Sequence, residues 1–335
     1  MAESYQSAKE EGFDVDMKIL TFNHHEPYLC SLAEVGEEFD VIVKYKSLDL
    51  AWNKSAHPVP ENMNLVSYDN VIKQRLKDGY YDLVICHTIK NLLWLFKFWK
   101  CNFIFVAHIP LFRYEFGLRV KSFFKKVFWN IFKRLHKAHF VAVSEFKRCS
   151  WGEKGDVIIL SPKYLGPLRE GAGYHSVAVV CNDLNSRKEE LGLSLIQSLR
   201  DTFSIEIIGK NPGIDGATQP KDFQEFRQIF SSHRIYLYTI KYPYGDGYNT
   251  AMLEAMKMGM AIVTVENPSS PIVHGDNGLV FRNLAEAIAC LRALLNDQAF
   301  VDTLGRRAKE YVDECFSQEA FVQGWKSVLS KSTSL

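Results

Sequence analysis

The segment Tyr242–Phe281 reads YPYGDGYNTAMLEAMKMGMAIVTVENPSSPIVHGDNGLVF, and it contains a loop, a helix and a strand in succession. Gly245 and Gly247 lie in a flexible loop, and the pattern then predicts a helix that begins near Thr250. The apolar run Ala261–Val265 that follows is typical of a strand buried on both faces, as in a parallel sheet. A loop, a helix and a buried strand in this order indicate an α/β fold.

Apolar runs of strand length alternate with helix-patterned stretches along the rest of the chain. In the first half these runs are Lys18–Phe22, Phe39–Val43, Asn64–Ser67, Asp82–Cys86, Phe103–Ala107 and Phe140–Ser144. In the second half they are Val157–Leu160, Val177–Val180, Ser204–Ile208, Ile235–Tyr238 and Ala261–Val265. Strands that alternate with helices predict βαβ units and parallel sheets.

A turn-rich linker over residues 161–174, with two prolines and three glycines, separates the two halves. A chain of 335 residues is long enough for two domains at roughly 100–200 residues each. We predict Rossmann-like domains over 17–160 and 175–316, followed by a C-terminal helix over 317–335. Two α/β halves of similar length make a cleft the default ligand site.

Composition restricts the functional class. The net charge of +1 argues against a strong nucleic-acid-binding field. The seven cysteines show no CxxC pair, which favours a reducing compartment over a disulfide framework or structural zinc. The N-terminal residues lack a signal-peptide pattern, and no apolar run reaches the roughly 18 residues of a membrane span. We expect a cytoplasmic protein that binds no nucleic acid.

The loop–helix junction around Thr250 has the features of a phosphate site. A helix N-terminus offers unpaired N–H groups and the positive end of a dipole. Glu254 lies about one turn inside the helix, where a carboxylate can accept hydrogen bonds from two ribose hydroxyls. Asp246 can reach the sugar beyond the phosphates. The alternative is that Asp246 is a turn residue and Glu254 an ordinary surface charge.

The same segment resembles the Glu-x7-Glu signature of retaining glycosyltransferases with the GT-B fold, in particular the GT4 family. That signature has an acid-Gly-Phe-Gly loop, then Glu-Ala-Met, a glycine and a buried valine strand. The matching residues here are Asp246-Gly247-Tyr248-Asn249, Glu254-Ala255-Met256, Gly259, Ala261–Val265 and the later turn Asp276–Val280. The first acid is Asp rather than Glu, which sets its carboxylate back by roughly 1.5 Å. This departure bears on sugar choice and on activity.

The resemblance implies a fold and a reaction. The fold is α/β of the GT-B type, with two Rossmann-like domains whose parallel sheets face a central cleft. The first domain would bind the acceptor, the second would bind the nucleotide sugar, and the last helix would cross back to the first. The reaction is transfer of a sugar from a UDP- or GDP-linked donor to a hydroxyl of a glycan or lipid-linked acceptor, with retention. This describes a hexosyltransferase-like enzyme of class EC 2.4 in polysaccharide biosynthesis.

The resemblance also assigns residues to the sugar. His108, after the strand Phe103–Ala107, and Asp246 would position the donor sugar as catalytic residues, and Glu254 would hold the ribose. His87 ends the previous strand in a similar position, although a strand-end histidine is often structural. His24, His25 and Glu26 follow the first strand, and we expect them to shape the acceptor site rather than bind a metal.

Further residues are assigned to the diphosphate and the base. Lys188 and Arg187 would neutralise the diphosphate, so no metal or other cofactor is expected. The family has a second basic residue where this chain has Asn182, and Arg187 is the candidate substitute. The alternative is a solvated basic pair at a helix start. Gly209 would let the backbone approach the base. The remaining donor-binding predictions are Gly247, Asn249 and Thr250.

A basic aromatic stretch over residues 92–137 suggests a further contact. Between Arg113 and Lys137 eight Lys or Arg residues accompany one acid, Glu115, and aromatic residues are interleaved with them. Cationic aromatic helices adsorb to anionic membrane surfaces, which suits a lipid-linked acceptor. The alternative is that the aromatic residues pack under the sheet and the basic residues form a solvated face.

Two other functions fit the same fold. One is a non-catalytic nucleotide-sugar-binding or scaffold protein, which the departures at Asp246 and Asn182 favour. The other is a nucleotide-sugar epimerase, which would act on the donor without an acceptor and would not need the basic aromatic stretch.

Overall fold

The computed structural model describes residues 17–45, 48–49, 51–52, 57–111, 116–163 and 165–333. The chain divides into an N-terminal unit, Met1–Leu160 with Glu319–Leu335, and a C-terminal unit, Ser161–Gln318. Arg113 and Glu115, which belong to the predicted basic aromatic stretch, lie outside the described residues. In the described ranges, no helix combines the length and apolar character needed to cross a membrane.

The N-terminal unit contains a sheet of eight strands among its described residues. They are β1 Lys18–Phe22, β2 Glu38–Tyr45, β3 Leu48–Asp49, β4 Met63–Ser67, β5 Leu83–Cys86, β6 Asn102–Ala107, β7 His139–Ala142 and β8 Asp156–Val157. The parallel order is β4-β2-β1-β5-β6-β7-β8, and β3 pairs antiparallel with β2. The helices are α1 Glu26–Ala33, α2 Asn70–Asp78, α3 Ile89–Leu95, α4 Phe116–His136, α5 Glu145–Trp151 and, from the end of the chain, α12 Gln318–Thr333.

Local sequence signals set the ends of these helices. In α2 the Asp69 side chain accepts hydrogen bonds from the N–H groups of Val71 and Ile72, which caps the helix start. The helix ends at Gly79, whose φ of 73° is in the left-handed region that glycine adopts without penalty. The crossover between β4 and β5 is therefore encoded within a dozen neighbouring residues.

Successive residues of the buried strands face two separate cores. Ile19 of β1 and Ile85 of β5 belong to one core, and their neighbours Leu20 and Val84 belong to the other. Both faces of the sheet are thus covered by helices, as expected for parallel strands.

The last helix completes the first of these cores. Phe321 and Trp325 of α12 are buried beside Ile19 and the other residues of that core. Ile158 lies against this helix, within 3.5 Å of the position that a Cβ at Gly324 would occupy. The strand expected over Val157–Leu160 extends only over Asp156–Val157, although the N–H of Ile158 still donates to the carbonyl oxygen of Ala142 in β7.

The C-terminal unit has a second, wholly parallel sheet. Its described strands are β9 Gly173–Val180, β10 Ile205–Ile208, β11 Ala217–Thr218, β12 His233–Tyr238, β13 Ala261–Val265 and β14 Leu279–Phe281. The order β11-β10-β9-β12-β13-β14 is that of a doubly wound sheet. Its helices are α6 Lys188–Leu191, α7 Leu193–Arg200, α8 Phe223–Phe230, α9 Thr250–Met258, α10 Leu284–Asn296 and α11 Gln298–Cys315.

The strand order reverses between β9 and β12, which makes a crevice outside their carboxyl ends the expected ligand site. Helix α9 follows β12 and is held close to α11, because a Cβ at Gly305 would lie 2.0 Å from the carbonyl oxygen of Gly259. Gly259 is the C-cap of α9, so this contact fixes the end of the helix against α11.

Candidate functional site

The start of α9 leaves two backbone donors unused. Asn249 is the N-cap, and its Oδ1 accepts a hydrogen bond from the N–H of Met252 at 2.8 Å. The N–H of Leu253 bonds to the Asn249 carbonyl. The backbone N–H groups of Thr250 and Ala251 have no partner in the part of the chain that the structure describes. Because the Asn249 side chain serves the helix, the available donors are main-chain N–H groups at the positive end of the helix dipole.

Glu254 lies one turn further along α9 and is buried, with 6% of its surface exposed. It is therefore not an ordinary surface charge. No described residue donates a hydrogen bond to its carboxylate. Burial raises the pKa of Glu254 to about 8, and the positive charge of Lys163 partly opposes this shift. A buried carboxylate without donors is costly for the free protein, and it is well suited to a ligand that brings hydroxyl groups.

Asp246 and Gly247 are held in a buried loop before α9. Asp246 is 5% exposed, and its carbonyl oxygen accepts a hydrogen bond from the Tyr238 hydroxyl at 2.9 Å. The N–H of Gly247 donates to Ser269 Oγ at 2.8 Å. A Cβ at Gly247 would lie 2.4 Å from the backbone nitrogen of Ser270, so only glycine fits there. The demand for glycine therefore comes from packing, and contact of Gly247 with a donor stays a prediction.

Asn267 fastens the same loop from the next segment of chain. Its Nδ2 donates to the carbonyl oxygens of Gly245 and Ile240, at 3.2 and 3.3 Å. Its Oδ1 accepts hydrogen bonds from the N–H and the hydroxyl of Ser269. The sequence analysis made no prediction for Asn267 or Ser269, although both lie within the quoted segment.

The two basic residues predicted for the diphosphate differ in availability. The guanidinium of Arg187 donates to Glu190 Oε1 at 2.5 Å, and this hydrogen bond raises the pKa of Arg187. Lys188 begins α6, is exposed, and forms no ion pair with any described side chain. Lys188 is thus the free cation of the pair, and Arg187 would have to leave Glu190 to reach a phosphate.

Gly209 and Asn182 connect the carboxyl ends of β10 and β9. Gly209 has a φ of +133°, and a Cβ there would lie 2.2 Å from the carbonyl oxygen of Cys181. Asn182 Oδ1 accepts a hydrogen bond from the backbone N–H of Lys210 at 2.7 Å. Asn182, at the position where the GT4 resemblance led us to expect a basic residue, therefore has a structural contact of its own. Contact of Gly209 with a base stays a prediction.

The parallel strands bring these loops to one edge of the C-terminal sheet. Asn182 and Lys188 follow β9, Gly209 follows β10, and the segment from Asp246 to Glu254 follows β12. Lys163, which acts on the Glu254 carboxylate, comes from the linker and carried no sequence signal. The predicted donor-binding residues of this unit thus surround the switch point of a single sheet.

In the N-terminal unit, histidines follow β1, β5 and β6 at the corresponding edge. His87 Nδ1 lies 2.8 Å from His108 Nε2, and the Tyr28 ring packs edge-on against the His108 ring at 4.7 Å between centroids. Burial lowers the pKa of both His87 and His108 well below the usual range. His24 lies beside them, with its ring centroid 5.2 Å from that of His108.

His25 and Glu26 are occupied by local contacts. His25 Nδ1 accepts a hydrogen bond from the N–H of Tyr28 and caps α1, and Glu26 accepts one from Asn23. Across the described ranges, no group of three or more metal-binding side chains is placed to hold a metal ion.

Helix α4 lies within the basic aromatic stretch. Some of its aromatic residues pack under the sheet, and others are exposed, so each of the two alternatives fits part of the helix. Trp129 and Phe132 are buried in the core under the sheet. Phe123 and Phe124 are 62% and 64% exposed. Among the residues of this helix whose side chains the structure describes, the other exposed apolar ones are Val120, Val127, Ile131 and Leu135. One face of the helix is therefore structural, and the other is an open apolar surface, which we call the α4 face.

Comparisons with known proteins bear on the fold. No protein-family model matches the chain, and no curated protein matches it. Among solved structures, HepE of Anabaena with UDP and glucose is 14% identical, with a TM-score of 0.68, and the match covers 94% of this chain and 99% of that one. Sucrose-phosphate synthase of Thermosynechococcus elongatus is 11% identical, with a TM-score of 0.65, and covers 94% and 98%.

A mutant of S. aureus TarM, in complex with fondaparinux, alpha-GlcNAc-glycerol and UDP, is 14% identical with a TM-score of 0.60. That match covers 74% of this chain, which spans only 55% of the TarM chain. The two parallel-sheet units and these likenesses confirm the predicted fold class: the chain has the α/β GT-B fold.

Proposed function

We propose that the chain is a glycosyltransferase that moves a sugar from a nucleoside diphosphate sugar to an acceptor hydroxyl. The observation that carries this proposal is Glu254, a buried carboxylate without a donor, one turn from the unused N–H groups of Thr250 and Ala251. A ribose supplies two hydroxyls to such a carboxylate, and a diphosphate suits the helix start. HepE was solved with UDP-glucose, which supports a UDP-linked donor.

The other residues take their roles from the same geometry. Lys188, which is exposed and unpaired among the described residues, neutralises the diphosphate as it leaves. Asp246 and His108 position the donor sugar. The match to the GT4 signature leads us to propose transfer with retention and without a metal. The acceptor is a glycan or a lipid-linked sugar, as in polysaccharide biosynthesis.

A thermal-shift screen of the full chain against UDP, GDP, ADP and TDP, with and without magnesium, tests the donor site. We expect one nucleotide to stabilise the protein without metal, and Glu254→Gln to remove that stabilisation. Glu314→Gln, at an exposed position, is the matched control and keeps the response. If no nucleotide stabilises the parent protein, the proposal is wrong.

A turnover assay with the corresponding sugar nucleotide then separates the rival functions. Release of nucleoside diphosphate that increases with added acceptor supports a transferase. Binding without turnover indicates a scaffold protein, and conversion of the sugar without nucleotide release indicates an epimerase. The configuration of the product glycoside, read by NMR, tests retention.

We also propose that the α4 face adsorbs to an anionic membrane surface that carries the acceptor. Exposed Phe123 and Phe124 share α4 with the exposed cations Lys121 and Arg134, so apolar insertion and charge attraction act together. We expect co-sedimentation with phosphatidylglycerol vesicles at low salt and little binding to phosphatidylcholine. Phe123→Ser with Phe124→Ser should reduce binding, whereas Val71→Ser, at an exposed position on α2, should not. Equal sedimentation of all these variants would refute the proposal.

A further inference from the structure

The hydrogen bonds around His87 form a chain that begins inside the N-terminal sheet. The Thr21 hydroxyl lies 3.3 Å from the carbonyl oxygen of Ile85 and 2.9 Å from His87 Nε2. We assign the single hydroxyl proton to the bond with Ile85, because the carbonyl oxygen can only accept. Thr21 Oγ1 then accepts, and His87 Nε2 is the nitrogen that carries a proton.

The tautomer of His108 follows from that of His87. A neutral imidazole protonated at Nε2 has an acceptor at Nδ1. His87 Nδ1 lies 2.8 Å from His108 Nε2, so His108 must donate from Nε2. The second nitrogen of His108, Nδ1, is consequently unprotonated.

His108 Nδ1 is also open to a ligand. No described residue forms a hydrogen bond with it, and it is not among the buried unpartnered atoms, so it reaches solvent. The charged or titratable groups facing the ring are His24, His25, His87 and Lys147, and all of them disfavour a positive charge on it. Burial lowers the pKa of His108 well below its usual range, which keeps the ring neutral.

The contacts that hold His87 are themselves fixed. Its backbone N–H donates to Asn91 Oδ1 at 3.1 Å, and Asn91 also completes the capping box of α3 with Thr88. Tyr28 packs edge-on against the His87 and His108 rings. Turning over either ring would break the hydrogen bond between His87 Nδ1 and His108 Nε2.

We propose that His87 is a positioning residue, which together with Thr21 holds His108 in the tautomer that presents Nδ1 as a hydrogen-bond acceptor to a sugar hydroxyl. This inference rests on the proposed glycosyltransferase function for the identity of the ligand. It adds to that function the polarity of the contact: the ligand group at His108 must be a donor. A deoxy sugar that lacks this hydroxyl should therefore be a poorer substrate.

Long-range proton–nitrogen NMR spectra of the full chain with isotope-labelled histidine test the tautomers directly. We expect protonated Nε2 in both His87 and His108. Thr21→Val keeps the side-chain shape but removes the hydroxyl, and it should shift His108 toward the Nδ1-protonated form. Thr21→Ser keeps the hydroxyl and the parent tautomer. Parent His108 protonated at Nδ1, or spectra unchanged in Thr21→Val, would overturn the inference.

Kinetics supply a second readout. Thr21→Val should lower kcat by about tenfold, the effect of one neutral hydrogen bond, with the affinity for UDP unchanged. Thr21→Ser should restore kcat, which a merely structural loss would not predict. If the parent chain shows no transfer at all, the proposed function fails, whereas the NMR result still decides the tautomers.

Discussion

Lys126 Nζ lies 2.6 Å from Glu153 Oε1, and this ion pair fastens α4 to the core of the N-terminal unit. The same carboxylate accepts hydrogen bonds from Lys133 at 2.7 Å and from the indole N–H of Trp129 at 2.9 Å. All three donors lie on α4, so one buried acid holds the helix that carries the exposed α4 face.

Glu153→Gln should therefore destabilise the N-terminal unit. Burial alone would raise the pKa of Glu153, but the hydrogen bonds from Lys126, Lys133 and Trp129 outweigh it, and the pKa lies below the usual value. A carboxyl group whose pKa is lowered by folding stabilises the protein at pH values above its usual pKa. This stabilisation is lost as the pH falls through the folded-state pKa. We expect a loss of about 1–3 kcal/mol at neutral pH by urea denaturation, shrinking in acid.

Glu145→Gln is the control for this prediction. Glu145 pairs with Arg148, but its side chain is 62% exposed, and exposed ion pairs contribute little. A Glu145 variant as unstable as the Glu153 variant would show that removal of a charge, rather than loss of the buried contacts, is responsible.

Glu254→Gln should change the pH dependence of stability in the opposite sense. The pKa of Glu254 is raised from 4.5 to about 8, so the folded state holds an extra proton between these values. The free energy of unfolding then falls as the pH rises through this window, and the loss is complete above the folded-state pKa. The Gln variant lacks this loss of stability. At the upper end of this pH window, its melting temperature should therefore exceed that of the parent by at least about 3 °C. Parallel melting curves across the window would refute the assignment.

Gly247→Ala should disturb the loop before α9. The new methyl group would lie 2.4 Å from the Ser270 backbone nitrogen, so the segment Asn267–Ser270 must shift. We expect about 1–3 kcal/mol of destabilisation in urea, and weaker stabilisation by nucleotide. Gly173→Ala is the control, because its nearest contact would be an ordinary 3.5 Å to Ser176 Oγ. Equal stability of the two variants would contradict the packing argument.

Lys188→Ala should weaken binding of UDP but not of uridine. The Lys188 ammonium is exposed and without an ion-pair partner among the described residues, whereas Arg187 is paired with Glu190. Calorimetry should show about a tenfold weaker affinity for UDP in Lys188→Ala, comparable to one charge-assisted hydrogen bond, and a smaller change in Arg187→Ala. A larger effect of Arg187→Ala would mean that Arg187 exchanges Glu190 for the phosphate.

The sequence alone was sufficient for the fold class. Buried runs such as Leu83–Cys86 and Ala261–Val265 are almost wholly apolar because a parallel sheet is covered on both faces, and neighbouring residues are enough to show this pattern. The helix start at Thr250 was equally readable, since an N-cap acts over three residues. Short strands such as Leu48–Asp49 and Ala217–Thr218 were missed because two residues are too few to show a hydrophobic periodicity.

Only the tertiary structure decided which chemistry-bearing residues meet. Lys163 acts on Glu254, His108 pairs with His87, and α12 packs on the core that contains Ile19. Each of these interactions joins residues that are far apart in the chain, and no local sequence pattern shows which distant residues will meet. The same holds for α4, because its aromatic residues alone did not show which face of the helix would contact Glu153. Local periodicity therefore determined the elements of this protein, whereas burial and pKa came from long-range packing, because they depend on every neighbour in space.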